Sequence, residues 1–136
     1  MKSLEFYFDY LSPYAYFAWK RVESICASNN LELSIKPVVF GKLLDHWGQL
    51  CPAEIPPKRE WLVKYCLFYA QQNLLPLRFP KHHPFNSLPA LRASLAEVSG
   101  PHQRKLVSAI FDSGWGRGAN TRPTMCWFAI SFPGRG

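Results

Sequence analysis

Leu4-Glu5-Phe6-Tyr7-Phe8-Asp9-Tyr10-Leu11-Ser12-Pro13-Tyr14-Ala15-Tyr16 is the stretch that decides the fold of this chain. Residues 4–9 alternate apolar and polar at one end and turn fully apolar toward the other, which suits a buried strand with aromatic weight. Tyr10-Leu11-Ser12-Pro13 breaks that strand. Ser12 is a good N-cap, and Pro13 fits the first helical position, where its missing N–H removes nothing. From Tyr14 to about Ala27 the apolar set Tyr14, Phe17, Ala18, Val22 and Ile25 recurs at helical spacing, and Asn29-Asn30 ends the helix.

Outward from there, Leu31 to Phe40 reads as a second strand, strictly alternating in its first half. Pro37 within it asks for an edge position or a bulge near its end. Strand, helix and strand make a βαβ unit, expected to be parallel and right-handed. Gly41 to Trp47 fits a short helix, and residues 48–57 a loop. Lys58 to Asn73 fits a strong helix in which Trp61, Leu62, Tyr65, Phe68 and Tyr69 form one broad apolar face. Leu74 to Pro84 is a proline-rich connection. Asn86 to about Val98 reads as a helix capped by Asn86 or Ser87, and Pro101 opens another that runs to Phe111. From about Ala119 the pattern decays; Met125 to Ile130 is apolar but has neither cap nor hairpin partner. No internal repeat is visible.

The chain has 136 residues, which points to one domain. Its apolar share of 48% and aromatic share of 15% suffice for a core. No apolar run is long enough for a membrane helix, and Met1-Lys2-Ser3-Leu4 does not open a secretory signal, so the cytoplasm is the expected compartment and no membrane partner is expected. The net charge of +7 favours anionic partners, yet the Lys and Arg residues are spread without a block of five. No nucleic-acid-binding motif is present, so the charge reads as a solvated surface with room for a local anion site. Cys26, Cys51, Cys66 and Cys126 form no C-x-x-C pair and no zinc spacing, and read as thiols in a reducing compartment. His82-His83 lies in a proline-rich loop without partner ligands, so no metal is expected.

Ser12 carries the sharpest chemical expectation. A helix N-terminus bears partial positive charge and unpaired N–H groups, so it favours an anion, and a thiolate is such an anion. Ser12 and Ala15 occupy the two places where thiol-exchange proteins carry a C-x-x-C pair. Without thiols there the chain cannot run disulfide exchange, but it can steady a thiolate brought by a cofactor. The plain alternative is that Ser12 is an N-cap and nothing more.

The run Phe6 to Tyr16 resembles the opening of the 2-hydroxychromene-2-carboxylate isomerases, glutathione-dependent relatives of kappa-class glutathione transferases and of DsbA. Pro52-Ala53-Glu54-Ile55-Pro56-Pro57-Lys58-Arg59 resembles their next signature. Pro76-Leu77-Arg78-Phe79-Pro80 and Pro84-Phe85-Asn86-Ser87-Leu88-Pro89-Ala90-Leu91-Arg92-Ala93 follow in family order, so the likeness spans about residues 3 to 119. It implies an α/β fold: a thioredoxin-like βαβ part over 1–40 with an all-helical insertion over 41–118. It also implies glutathione at the helix N-terminus, its sulfur near Ser12. The thiolate would add to a conjugated double bond of a small aromatic carboxylate, allow rotation, and leave. In this scheme Ser12 is catalytic and Ser12, Gln49 and Lys58 bind the cofactor. Tyr14, Arg78 and Asn86 would face the substrate. Lys58 and Arg78 read equally as surface cations, and Asn86 as a helix cap. A homodimer is the assembly these relatives suggest.

Two departures stand out. The family pattern has Gly-Asn where this chain has Gly48-Gln49, so the longer Gln49 side chain must reposition. Family members also continue past Asn120 into a turn with a cis-proline, two antiparallel strands and a last helix. Here that ββα half is absent, and residues 119–136 read as a tail unlike the family, out of frame or from an interrupted gene. The alternatives to the isomerase are therefore a kappa-type transferase, a DsbA-like oxidoreductase, which the missing Cys disfavours, and a truncated, inactive fragment.

Overall fold

A computed structural model of the chain describes residues 1–117. The expected tail at 119–136, with Cys126 and the Met125–Ile130 patch, lies outside the described residues. Strand β1 (Ser3–Phe8) pairs in parallel with β2 (Glu32–Pro37), with Leu4 opposite Leu33 and Phe6 opposite Ile35. Helix α1 (Pro13–Ser28) joins them, as the sequence predicts. Pro37, opposite Phe8, is the last paired residue; the Val38 N–H after it donates to Phe8 O at 2.9 Å, so the N–H that proline lacks falls on the side of β2 away from β1.

The alternation along β1 persists to its end, so β1 is buried on one face only. Leu4, Phe6 and Phe8 point inward with Leu33 and Ile35, whereas Tyr7 on the other face is 59% exposed. The buried strand expected from the sequence is thus buried on one face: among the described residues, α1 and its neighbours cover the sheet from that side.

The helical part begins with α2 (Phe40–His46), one residue earlier than expected, and a 3₁₀ turn at Pro52–Glu54. Helix α3 (Pro56–Gln72) starts two residues before Lys58 because the Pro56-Pro57 pair occupies its first turn, where neither N–H is missed. Its buried stripe is only Leu62, Cys66 and Ala70; Trp61 and Phe68 are both 60% exposed, so the broad apolar face is mostly open. The helix expected over 86–98 is two short ones, α4 (Leu88–Ala93) and α5 (Ala96–Ser99). Leu95 between them is extended, φ −62° and ψ 141°. Ser94 ends α4 with its hydroxyl turned back to Ala90 O, and it is fully buried under Tyr10. Helix α6 (Gln103–Phe111) then runs into a wide π turn, Asp112–Gly116.

Aromatic rings make the core between β1, α1 and α6. Phe111 touches Phe8, Tyr10, Tyr16 and Trp19, with ring centres 4.8–6.2 Å apart. The buried side of α1 carries Tyr16, Phe17, Trp19, Val22 and Cys26. The expected apolar face is thus rotated: Tyr14, Ala18 and Ile25 lie exposed on the other flank. There they line an open cavity of about 530 Å³ with Leu4, Phe6 and Arg21.

Candidate functional site

The turn ahead of α1 is held from several sides. Asp9, buried at 3% exposure, accepts the Leu11 N–H at 3.1 Å with one carboxylate oxygen and the Phe40 N–H at 2.9 Å with the other. One side chain thereby ties the approach to α1 to the first residue of α2. The Ser12 N–H donates to Asp9 O at 3.1 Å. The indole N–H of Trp115 donates to Tyr10 O at 2.7 Å, and His83 Nε2 lies 2.8 Å from Leu11 O. A carbonyl can only accept, so His83 carries its proton on Nε2. Burial lowers the His83 pKa most; the bond to Leu11 acts against that, and the nearby Arg59 charge adds to it.

Ser12 is the N-cap in fact. It sits at φ −93° and ψ 117°, and its Oγ accepts the Ala15 N–H at 3.2 Å while its carbonyl accepts the Tyr16 N–H at 3.2 Å. Accepting through a lone pair leaves the hydroxyl proton free to donate outward. Pro13 has no N–H, so the Tyr14 amide is the first-turn donor without an acceptor among the described residues. A half-buried hydroxyl and one bare amide at the positive end of a 16-residue helix suit an anion of about the size of a sulfur.

The chain's own described thiols do not supply that anion. Cys26 and Cys66 are buried, and burial pushes Cys66 up to about 11; Cys51 is half-buried and also raised by burial. Tyr14 leans over the open flank, its ring 6.0 Å from that of Tyr65, and partial burial raises its hydroxyl, with Cys66 and Tyr65 adding to the shift. Tyr16 is pushed up to about 12, first by burial, and donates to Pro76 O at 2.6 Å.

The other expected residues divide. Asn86 follows His83 by three residues in the chain, and its Oδ1 takes the Leu88 N–H at 3.0 Å. It therefore builds the turn into α4, although Ser87 holds the cap position. Arg78 is tied there by its backbone, which donates to Trp115 O at 2.7 Å; its side chain is exposed. Lys58 is exposed in the first turn of α3, next to the Arg59 that acts on His83. Gln49 is exposed after Gly48, which takes φ +63°, and no described contact brings its side chain to Ser12. Sequence reasoning missed Asp9, His83 and Trp115. Asp9 carried a signal, a carboxylate at the apolar end of a strand. For His83 and Trp115 the partners are 72 and 105 residues away, so no local pattern shows them.

Comparison with known proteins gives the fold a family. The DsbA-like thioredoxin domain matches residues 3–125. The kappa 2 glutathione S-transferase of Caenorhabditis elegans is 31% identical over 83 residues, 60% of this chain and 37% of that protein. The rat kappa 1 glutathione S-transferase is 28% identical over 81 residues, 57% of this chain and 34% of that protein. The chain thus spans about a third of the length of the curated relatives it matches. A solved 2-hydroxychromene-2-carboxylate isomerase superposes with a TM-score of 0.72 at 23% identity, covering 84% of this chain and 56% of that one. That likeness concerns the fold.

Proposed function

We propose that this chain, which belongs to the DsbA-like thioredoxin domain family, holds the thiolate of glutathione against the start of α1. We propose further that its reaction is the cis–trans isomerisation of an aromatic carboxylate of the 2-hydroxychromene-2-carboxylate type. The observation that carries the reading is the Ser12 hydroxyl: it accepts from Ala15 and so keeps its proton for an outside anion. The names of the kappa-class relatives support glutathione as the source of that anion.

Glutathione, when bound, supplies a thiolate that adds reversibly to a conjugated double bond, frees rotation about it, and departs as the other isomer forms. The chain's residues do the rest. Ser12 donates to the sulfur and the Tyr14 N–H adds a second donor, both fixed before the ligand arrives. Arg78 and Lys58 offer exposed cations for carboxylates, and Asn86 offers its amide NH₂ beside the turn. Tyr14 offers its ring to an aromatic substrate. Gln49 reaches glutathione only if its loop turns inward. In this reading residues 1–40 hold the sulfur, residues 41–118 shape the substrate side, and the chain works in the cytoplasm, as a homodimer where it pairs.

Conjugation of glutathione to an electrophile is the second reading, favoured by the 31% identity to the kappa-class relative. Isomerisation and conjugation assays on one preparation separate the two. Binding to immobilised glutathione tests both against an inactive fragment. Ser12→Ala is expected to weaken glutathione binding roughly tenfold or more, the scale of one hydrogen bond to a charged group. Its effect on stability should be about 1 kcal/mol, the scale of one cap. A folded Ser12→Ala chain with parental affinity would remove Ser12 from the site.

A further inference from the structure

Two successive carbonyls lead into Ser12, and each is taken by a ring N–H from a distant part of the chain. Tyr10 O receives the Trp115 indole at 2.7 Å, and Leu11 O receives His83 Nε2 at 2.8 Å. The two rings also touch edge to face, 5.4 Å between centres, so each limits the other's position. Trp115 is 1% exposed. A buried donor left unpaired is costly, so the Trp115 indole does not let go of its carbonyl easily, and the part-buried His83 ring is held by its own bond and by the contact with Trp115.

Two consequences follow for the hydroxyl. Peptide planarity links each carbonyl to the N–H of the next residue, so a fixed Leu11 C=O fixes the plane on which Ser12 begins. With both oxygens committed, neither negative carbonyl end is free to turn toward an anion at the start of α1. We infer that His83 and Trp115 are positioning residues for the Ser12 hydroxyl, setting from the helical part of the chain the place where a thiolate is stabilised. The inference rests on the reading of Ser12 as the thiolate site, but its geometric half stands apart from it. Asp9, which holds the Leu11 N–H and reaches Phe40, completes the frame from the strand side.

The test uses the full chain and glutathione itself. Gln can place an amide donor where His83 has Nε2; Leu cannot. Trp115→Phe keeps a ring and loses the donor. The ratio of thiolate to thiol in bound glutathione at pH 7, read from its ultraviolet absorbance, should fall about fivefold in His83→Leu and in Trp115→Phe, the factor one lost hydrogen bond sets. His83→Gln should stay near the parent. Folded variants that bind glutathione with the parent's thiolate fraction overturn the inference. If the parent binds no glutathione, the function reading fails instead, and exchange of the Tyr14 and Ala15 amides decides the geometric half. That exchange should quicken in His83→Leu and Trp115→Phe but not in His83→Gln; unchanged exchange overturns the inference. If a variant does not fold, the unaltered chain still answers. Nitrogen NMR should show His83 with its proton on Nε2, and a proton on Nδ1 alone overturns the inference.

Discussion

The two flanks of α1 carry similar side chains and meet different fates. On one flank, Tyr16 and Trp19 are closed over by Phe111, Trp19 donates to Ser108 Oγ at 2.9 Å, and Lys20 pairs with Asp112. On the other, Tyr14, Ala18, Arg21 and Ile25 look across an open cavity toward Tyr65 and Tyr69 of α3. Composition does not explain the difference, since both flanks are rich in aromatic and aliphatic groups. What differs is the chain's return path: α6 and the π turn close over the first flank, whereas α3 meets the second through Tyr65 and Tyr69 and leaves the cavity open. An apolar helix face is buried by the element that arrives to cover it, and a helical period alone cannot say which face that will be.

Mutations can break this contrast or sharpen it. The largest effect should come from Phe111→Ala on the closed flank, a loss of about 3–5 kcal/mol in denaturant unfolding, because four ring contacts and a full side-chain volume vanish together. Comparable losses for Ile25→Ala on the open flank would erase the distinction, since that residue is 42% exposed and should lose about 1 kcal/mol or less. Ser108→Ala is a finer probe: it strips Trp19 of its acceptor and should lower stability by about 1–3 kcal/mol, measured the same way.

Acid should act on the closed side too. The His83 pKa is lowered in the fold, chiefly by burial. The folded chain therefore binds fewer protons there than the unfolded one. This part of the stability is complete above the ordinary imidazole value of 6.5 and is lost as pH falls through the lower folded value. His83→Gln should flatten the unfolding midpoint across that acidic window; an unchanged slope would point to other groups. Smallest of all, Tyr65→Ser on the open flank should change stability by only about 0.5 kcal/mol, while reducing any self-association at high concentration, read by sedimentation.

Much of the frame was legible before any coordinates. The strand, the Ser12-Pro13 helix start and the parallel return of β2 follow from local rules: alternation, capping and a proline where the ladder ends. The break at Leu95 was not legible, because it depends on Ser94 being drawn under Tyr10, a contact 84 residues apart in sequence. The same holds for the site. Ser12 announces itself by position, whereas His83 and Trp115 act through long-range bonds to backbone carbonyls, a kind of partner that leaves no trace in residue type. The exposed strip of α3 differs for the opposite reason: Trp61 and Phe68 are large and apolar, yet both are 60% exposed, and among the described residues Trp61 stacks only on Tyr65 of its own helix, 4.9 Å between centres.

The double grip of the Asp9 carboxylate has one more consequence. Because a single group anchors the beginnings of two helices, α1 and α2 cannot be re-engineered as independent modules. A circular permutation opened between Val38 and Phe40 would free the backbone amide that Asp9 holds there, and slack introduced at α2 would reach the Ser12 turn through that one carboxylate.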